Sequence, residues 1–184
     1  MRKLLFAAVA GASLLVALIA GSFAVAGGGN GKGSSNARAH LNGYNEVPSI
    51  STVARGEFRA RINRNNTIDY TLTYTALEGG AATAAHIHFG QRHTAPPGNV
   101  SAWLCGPPTT PPSTCPPTGG TVTGTIEAAD VVGPAGQGIA PGQMDELIRA
   151  IRAGATYVNV HSTGFPGGEI RGQIKAGGRG GDDD

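Results

Sequence analysis

Residues 57–74 read EFRARINRNNTIDYTLTY, and this stretch decides the fold. Two runs of alternating apolar and polar residues, Glu57 to Ile62 and Ile68 to Tyr74, flank the turn-forming segment Asn63-Arg64-Asn65-Asn66. Because successive side chains of a strand point to opposite faces, each run places its apolar side chains on one face. The stretch therefore predicts a β-hairpin that buries one face in a core.

The same period-two pattern recurs along the chain, at intervals too short for helices to intervene. The further predicted strands are Arg38 to Asn42, Ala82 to His88, Val100 to Leu104, Thr121 to Ile126, Tyr157 to Ser162 and Glu169 to Lys175. Eight short strands in one domain predict an all-β fold, an antiparallel sandwich or barrel.

One segment has the pattern of a helix. Residues Gln143 to Ala153 begin with acidic side chains and end with basic ones, and Gly154 follows as a stop signal. Leu147, Ile148 and Ile151 share one face of this helix. We expect that face to pack on the sheet.

The two ends of the chain differ in composition from this domain. Residues 1–26 hold Arg2, Lys3, a long apolar run and Ala24-Val25-Ala26, which predicts a secretory signal peptide with cleavage after residue 26. An uncleaved membrane anchor is the alternative. Residues 27–36 form a Gly/Ser/Asn-rich flexible linker, residues 37–176 the β-domain, and residues 177–184 a disordered acidic tail.

Charge and cysteine content narrow the compartment and the partners. Loss of the signal peptide leaves 12 of the 14 basic side chains against 12 acidic ones, so the mature chain is neutral and neither a nucleic acid nor a membrane is an expected partner. Cys105 and Cys115 are the only cysteines, and in an exported chain such a pair predicts a disulfide. We expect a secreted or extracytoplasmic protein, in a periplasm or at a cell surface.

Three histidines fall on the polar faces of predicted strands. His86 and His88 are two residues apart, so they share a face if Ile87 is buried. In the strand from Tyr157 to Ser162 the valines take the core and His161 takes the other face. Three neutral imidazoles are suitable ligands for copper or zinc. His40 and His93 are candidate fourth ligands, and solvent-exposed histidines without metal are the simpler alternative.

Four ordered blocks resemble the CHRD domain, a family first named in chordin, and span Ala37 to Lys175. The resemblance implies an all-β Greek-key domain that accompanies growth-factor-binding modules in chordin. The blocks are Leu41 to Pro48, Ala84 to His88, Tyr157 to Ser162 and Phe165 to Gln173.

A weaker resemblance links the histidine segments to the copper/zinc superoxide dismutases. His86-Ile87-His88-Phe89-Gly90 is similar to their first copper-binding strand, and Val160-His161 is similar to a later one. The resemblance implies that Arg171 lies beside the metal. The short loop after Gly90 lacks counterparts of their bridging and zinc-binding histidines, and only His93 is available there.

These patterns leave three functions open. The first is a secreted module that holds copper or zinc through His86, His88 and His161. The second is an extracellular adhesion or protein-binding scaffold without metal, which presents loops between Thr94 and Gly120. The third is a dismutase-like copper enzyme, which we favour less than a binding protein. The sequence contains no hydrolase motif such as Gly-x-Ser-x-Gly or His-Glu-x-x-His.

Overall fold

The computed structural model describes residues 34–94, 99–107 and 114–177. All eight predicted strands are present, and the last is divided in two. The strands are β1 (Asn36–Asn42), β2 (Arg55–Ile62), β3 (Ile68–Thr75), β4 (Ala82–Phe89), β5 (Val100–Cys105), β6 (Gly120–Ile126), β7 (Thr156–Ser162), β8 (Ile170–Gln173) and β9 (Lys175–Ala176). The predicted signal peptide, most of the linker and residues 178–184 of the tail lie outside the described residues.

The strands form one antiparallel sheet that curls into a nearly closed barrel. Its strand order is β5-β4-β7-β8-β1-β2-β3-β6, and β9 pairs with β1. Strands β5 and β6 therefore border the seam of the barrel. The hydroxyl of Tyr70 on β3 donates a hydrogen bond of 2.7 Å to the carbonyl of Leu104 on β5. Gly124 leaves the space that this tyrosine needs, because a Cβ there would lie 2.7 Å from the tyrosine hydroxyl.

The apolar faces of the strands fill the barrel as the alternation predicts. Phe58, Leu72, Ile87 and Val158 are fully buried in one continuous core. The helix α1 (Met144–Arg152) adds five buried residues to this core, and they include all three of the predicted packing face. These three are Leu147, Ile148 and Ile151. Among the described residues, no helix combines the length and apolarity that crossing a membrane requires.

The disulfide between Cys105 and Cys115 is present, with the two Cα atoms 5.2 Å apart. It closes the connection that leads from β5 towards β6. We expect the double variant Cys105→Ser/Cys115→Ser to lose roughly 2 to 3 kcal/mol of unfolding free energy, because the open chain regains loop entropy when it unfolds. Urea denaturation of the disulfide-bonded wild type and of the double variant measures this difference. Equal midpoints would show that the bridge contributes nothing to stability.

Candidate metal centre

The strand register gathers the polar side chains of the barrel exterior into one patch. Ala85 and Ile87 of β4 point into the core, so His86 and His88 point outward. Across the neighbouring strands, His86 is paired with Trp103 of β5 and with Asn159 of β7. His161 lies two residues beyond Asn159 on the same face of β7. One outward patch therefore holds all three predicted ligands.

This outward face is buried, which does not fit the alternative of solvent-exposed histidines. His86 is 7% exposed and His88 is 8% exposed. Backbone groups from loops outside the barrel also bond to side chains of the patch. The guanidinium of Arg171 donates to the carbonyl of Gln91, and the carbonyl of Pro166 accepts from His161.

The three imidazoles converge on one point. His86 Nδ1 lies 3.3 Å from His88 Nε2 and 3.1 Å from His161 Nε2. One nitrogen from each ring lies within 4.8 Å of the other two. Zinc–nitrogen bonds are about 2.0 to 2.1 Å long, so small ring rotations around this point bring all three nitrogens to bonding distance of one ion.

The remaining ring nitrogens of two histidines are held by hydrogen-bond acceptors. His88 Nδ1 lies 2.9 Å from Asn99 Oδ1, and the amide nitrogen of Asn99 donates to the carbonyl of Phe89. His161 Nδ1 lies 2.9 Å from the carbonyl of Pro166. Because a carbonyl oxygen can only accept, both Nδ1 atoms carry the proton. The Nε2 lone pairs of His88 and His161 therefore face the point of convergence.

Burial keeps these rings neutral. It lowers the pKa of His86 to about 3, with the neighbouring His161 and His88 acting in the same direction. It lowers the pKa of His88 to about 4, and it also lowers the pKa of His161. Neutral imidazole is the form that binds metal. The ligands thus need no deprotonation at neutral pH.

Aromatic rings hold two of the histidines from the side. Trp103 packs edge to face on His86, with ring centroids 4.2 Å apart. Tyr157 stacks parallel to His88 at 4.8 Å, and the guanidinium carbon of Arg171 lies 3.4 Å from the centroid of the Tyr157 ring. Arg171 therefore reaches the patch by a cation–π contact, separated from the histidines by one tyrosine.

The other two candidate ligands lie elsewhere. His40 is exposed on β1, where its Cα partner is Glu57 of β2. His93 is exposed in the turn after β4. Within residues 34–94, 99–107 and 114–177, the cluster of potential metal ligands contains His86, His88 and His161 and neither of these two. A fourth histidine ligand from the described part of the chain is thus not in place.

Glu46 is a buried acid that sequence reasoning missed. It follows the short 3₁₀ turn Gly43–Asn45 and is 6% exposed. Its Oε1 has no hydrogen-bond partner. Burial raises the pKa of Glu46 to about 7, against the opposing effects of Arg171 and a backbone hydrogen bond at Val47. No periodic pattern covers this loop. The only sequence signal for Glu46 is its position within Leu41 to Pro48, the first block that resembles the CHRD domain.

The raised pKa of Glu46 predicts that the free energy of unfolding depends on pH. The folded state holds the proton more tightly than the unfolded state, whose pKa is 4.5. This contribution to stability is complete below pH 4.5 and is lost as pH rises through about 7. Relative to Glu46→Gln, the metal-free wild type should lose up to about 3 kcal/mol across this range. Urea denaturation at several pH values measures the difference, and parallel curves for the two proteins would contradict it.

Comparison with known proteins identifies the domain. No curated protein and no solved structure matches the chain. The family model of the CHRD domain matches residues 37–174, which is most of the chain and covers every element from β1 to β8. The chain therefore belongs to the CHRD domain family.

Proposed function

We propose that this CHRD domain is a secreted binding module that holds one copper or zinc ion through His86 Nδ1, His88 Nε2 and His161 Nε2. CHRD domains are extracellular binding modules. The proposal adds the bound ion and the residues that hold it. The observation that carries it is the convergence of these three nitrogens.

Proton counting explains why a cation fits this point. The lone pairs of His88 Nε2 and His161 Nε2 both point towards the place where the three ring nitrogens converge, since their Nδ1 atoms are protonated. The remaining nitrogen, His86 Nδ1, can bring one proton, and one N–H cannot fully satisfy two acceptors. An unsatisfied buried acceptor costs about 1 to 3 kcal/mol. A metal ion satisfies all three nitrogens together.

The donor set selects the kind of metal. Calcium and magnesium prefer oxygen ligands, whereas imidazole nitrogen suits copper and zinc. Three histidines around one ion also leave a coordination position for an external ligand, as in catalytic zinc sites.

Equilibrium dialysis of the folded protein against Cu(II) or Zn(II) tests the proposal. We expect one ion per chain, and the same stoichiometry in His40→Ala and His93→Ala, which remove exposed histidines outside the cluster. Cu(II) should also quench the fluorescence of Trp103, the only tryptophan, because its ring contacts His86. Retention of neither metal, or loss of retention in His40→Ala, would refute the proposed site.

The family match supports the protein-binding alternative as well, since CHRD domains are extracellular binding modules. Trp103, which precedes the disulfide loop, packs its ring on His86. The loops of the adhesion hypothesis include residues 95–98 and 108–113, which lie outside the described residues. The dismutase-like activity stays a prediction, and superoxide decay above the rate of free copper would be its test.

A further inference from the structure

Three buried polar atoms without partners lie on His86 and on two residues near it. They are Nε2 of His86, Oδ1 of Asn159 and Oε1 of Glu46. Each of these residues is more than nine-tenths buried. Because buried polar atoms in proteins are almost always paired, each of these three atoms calls for a partner.

Asn159 lies between the other two residues. Its Cα is paired with that of His86 across β4 and β7, and its side chain acts against the lowering of the pKa of both His86 and His88. On its other side, Asn159 Nδ2 and Glu46 Oε1 border the same small space over Gly168. A Cβ on Gly168 would lie 2.9 Å from Asn159 Nδ2 and would clash with Glu46 Oε1.

We propose that Asn159 is a positioning residue that accepts a hydrogen bond from His86 Nε2, and that Glu46 orients the Asn159 amide for this role. The inference rests on the proposed function. An ion on His86 Nδ1 requires the proton of the neutral ring to be on Nε2, and this N–H needs an acceptor. Asn159 Oδ1 is the unpaired acceptor on the neighbouring strand.

With this hydrogen bond, each of the three histidines donates its second ring N–H to an acceptor outside the cluster. His88 has Asn99 and His161 has the Pro166 carbonyl, and both hydrogen bonds are already formed. Metal-binding histidines commonly donate their second N–H in this way, which fixes the tautomer and the ring orientation. Asn159 completes the set for His86.

Glu46 decides which way the amide points. When Asn159 Nδ2 donates to Glu46 Oε1, Oδ1 is directed away from Glu46 and towards His86. A carboxylate oxygen and the carbonyl oxygen of a carboxylic acid both accept, so this orientation holds in either protonation state of Glu46. Gly168 has a backbone φ of +127° and no side chain, and it leaves the space in which the two groups meet.

Zinc titrations of Asn159 variants test the inference. We expect Asn159→Leu to bind Zn(II) about 10 to 100 times more weakly than wild type, the usual effect of losing such a partner. Asn159→Asp keeps an acceptor and should restore affinity to within about threefold of wild type by the same reasoning. Thr156→Val removes an unpartnered buried hydroxyl from the same strand and serves as the matched control.

A spectroscopic measurement separates positioning from general damage. In zinc-loaded wild type, the nitrogen-15 spectrum should show His86 protonated at Nε2, and Asn159→Leu should lose this protected proton. If Asn159→Leu does not fold, Asn159→Ser removes the amide acceptor with a shorter polar side chain. We expect the same weakening of zinc binding in this variant. Wild-type affinity in a folded Leu or Ser variant would overturn this inference alone. A wild type that binds no zinc would overturn both this inference and the proposed function.

Discussion

Zinc should stabilise the wild-type domain against unfolding and should leave His86→Ala unchanged. His86 contributes the nitrogen that lies closest to both other ligands, at 3.3 Å from His88 Nε2 and 3.1 Å from His161 Nε2. At a free zinc concentration of about 1,000 times Kd, binding to the folded state alone adds about 4 kcal/mol to the free energy of unfolding. Without His86 two nitrogens remain, and we expect no measurable gain.

Urea denaturation with and without zinc measures this gain. His40→Ala is the control, because it also removes one histidine but from the exposed face of β1. It should show the full zinc effect. A His86→Ala variant that gains as much stability as wild type would place the zinc elsewhere.

Replacement of Glu169 by alanine should destabilise the domain by about 3 to 5 kcal/mol, because it leaves three donors without their acceptor at about 1 to 3 kcal/mol each. Glu169 is fully buried between β7 and β8. Its carboxylate accepts from Thr52 Oγ1 at 3.0 Å, from the Glu78 N–H at 2.7 Å and from the Gly79 N–H at 3.1 Å. Alanine leaves these donors without their acceptor. The residue thus ties two loops to the barrel and has no place in the metal cluster.

Glu169→Gln provides the graded comparison. The amide keeps one acceptor oxygen, but its NH₂ group faces a backbone donor, so we expect a loss smaller than that of alanine and still above about 1 kcal/mol. The urea midpoints of the three proteins measure the series. Equal midpoints for wild type and Glu169→Ala would show that this carboxylate does not hold the loops.

The strands were predictable because their signal is local. Alternation of apolar and polar residues identified every strand from β1 to β8, and acidic-to-basic order with a glycine stop identified α1. The same alternation placed His161 on the outward face of β7. Alternation could not predict that β7 pairs with β4, because this pairing depends on the strand order of the whole sheet.

The covering loops were not predictable from pattern. His161 bonds to Pro166, which lies in a segment without periodicity. Asn99, which is hydrogen-bonded to His88, and Asn159, the acceptor that we propose for His86, carry no local signal that separates them from ordinary polar residues. Trp103 likewise contacts His86 only because β5 pairs with β4. Sequence reasoning therefore found the three histidines of the cluster and missed the residues that contact them.

Zinc-edge anomalous diffraction from crystals of the zinc-loaded protein tests the central claim most directly. The account predicts one strong peak per chain, at about 2.0 to 2.1 Å from His86 Nδ1, His88 Nε2 and His161 Nε2. A peak at His40 or His93, or no peak among the three imidazoles, would contradict it.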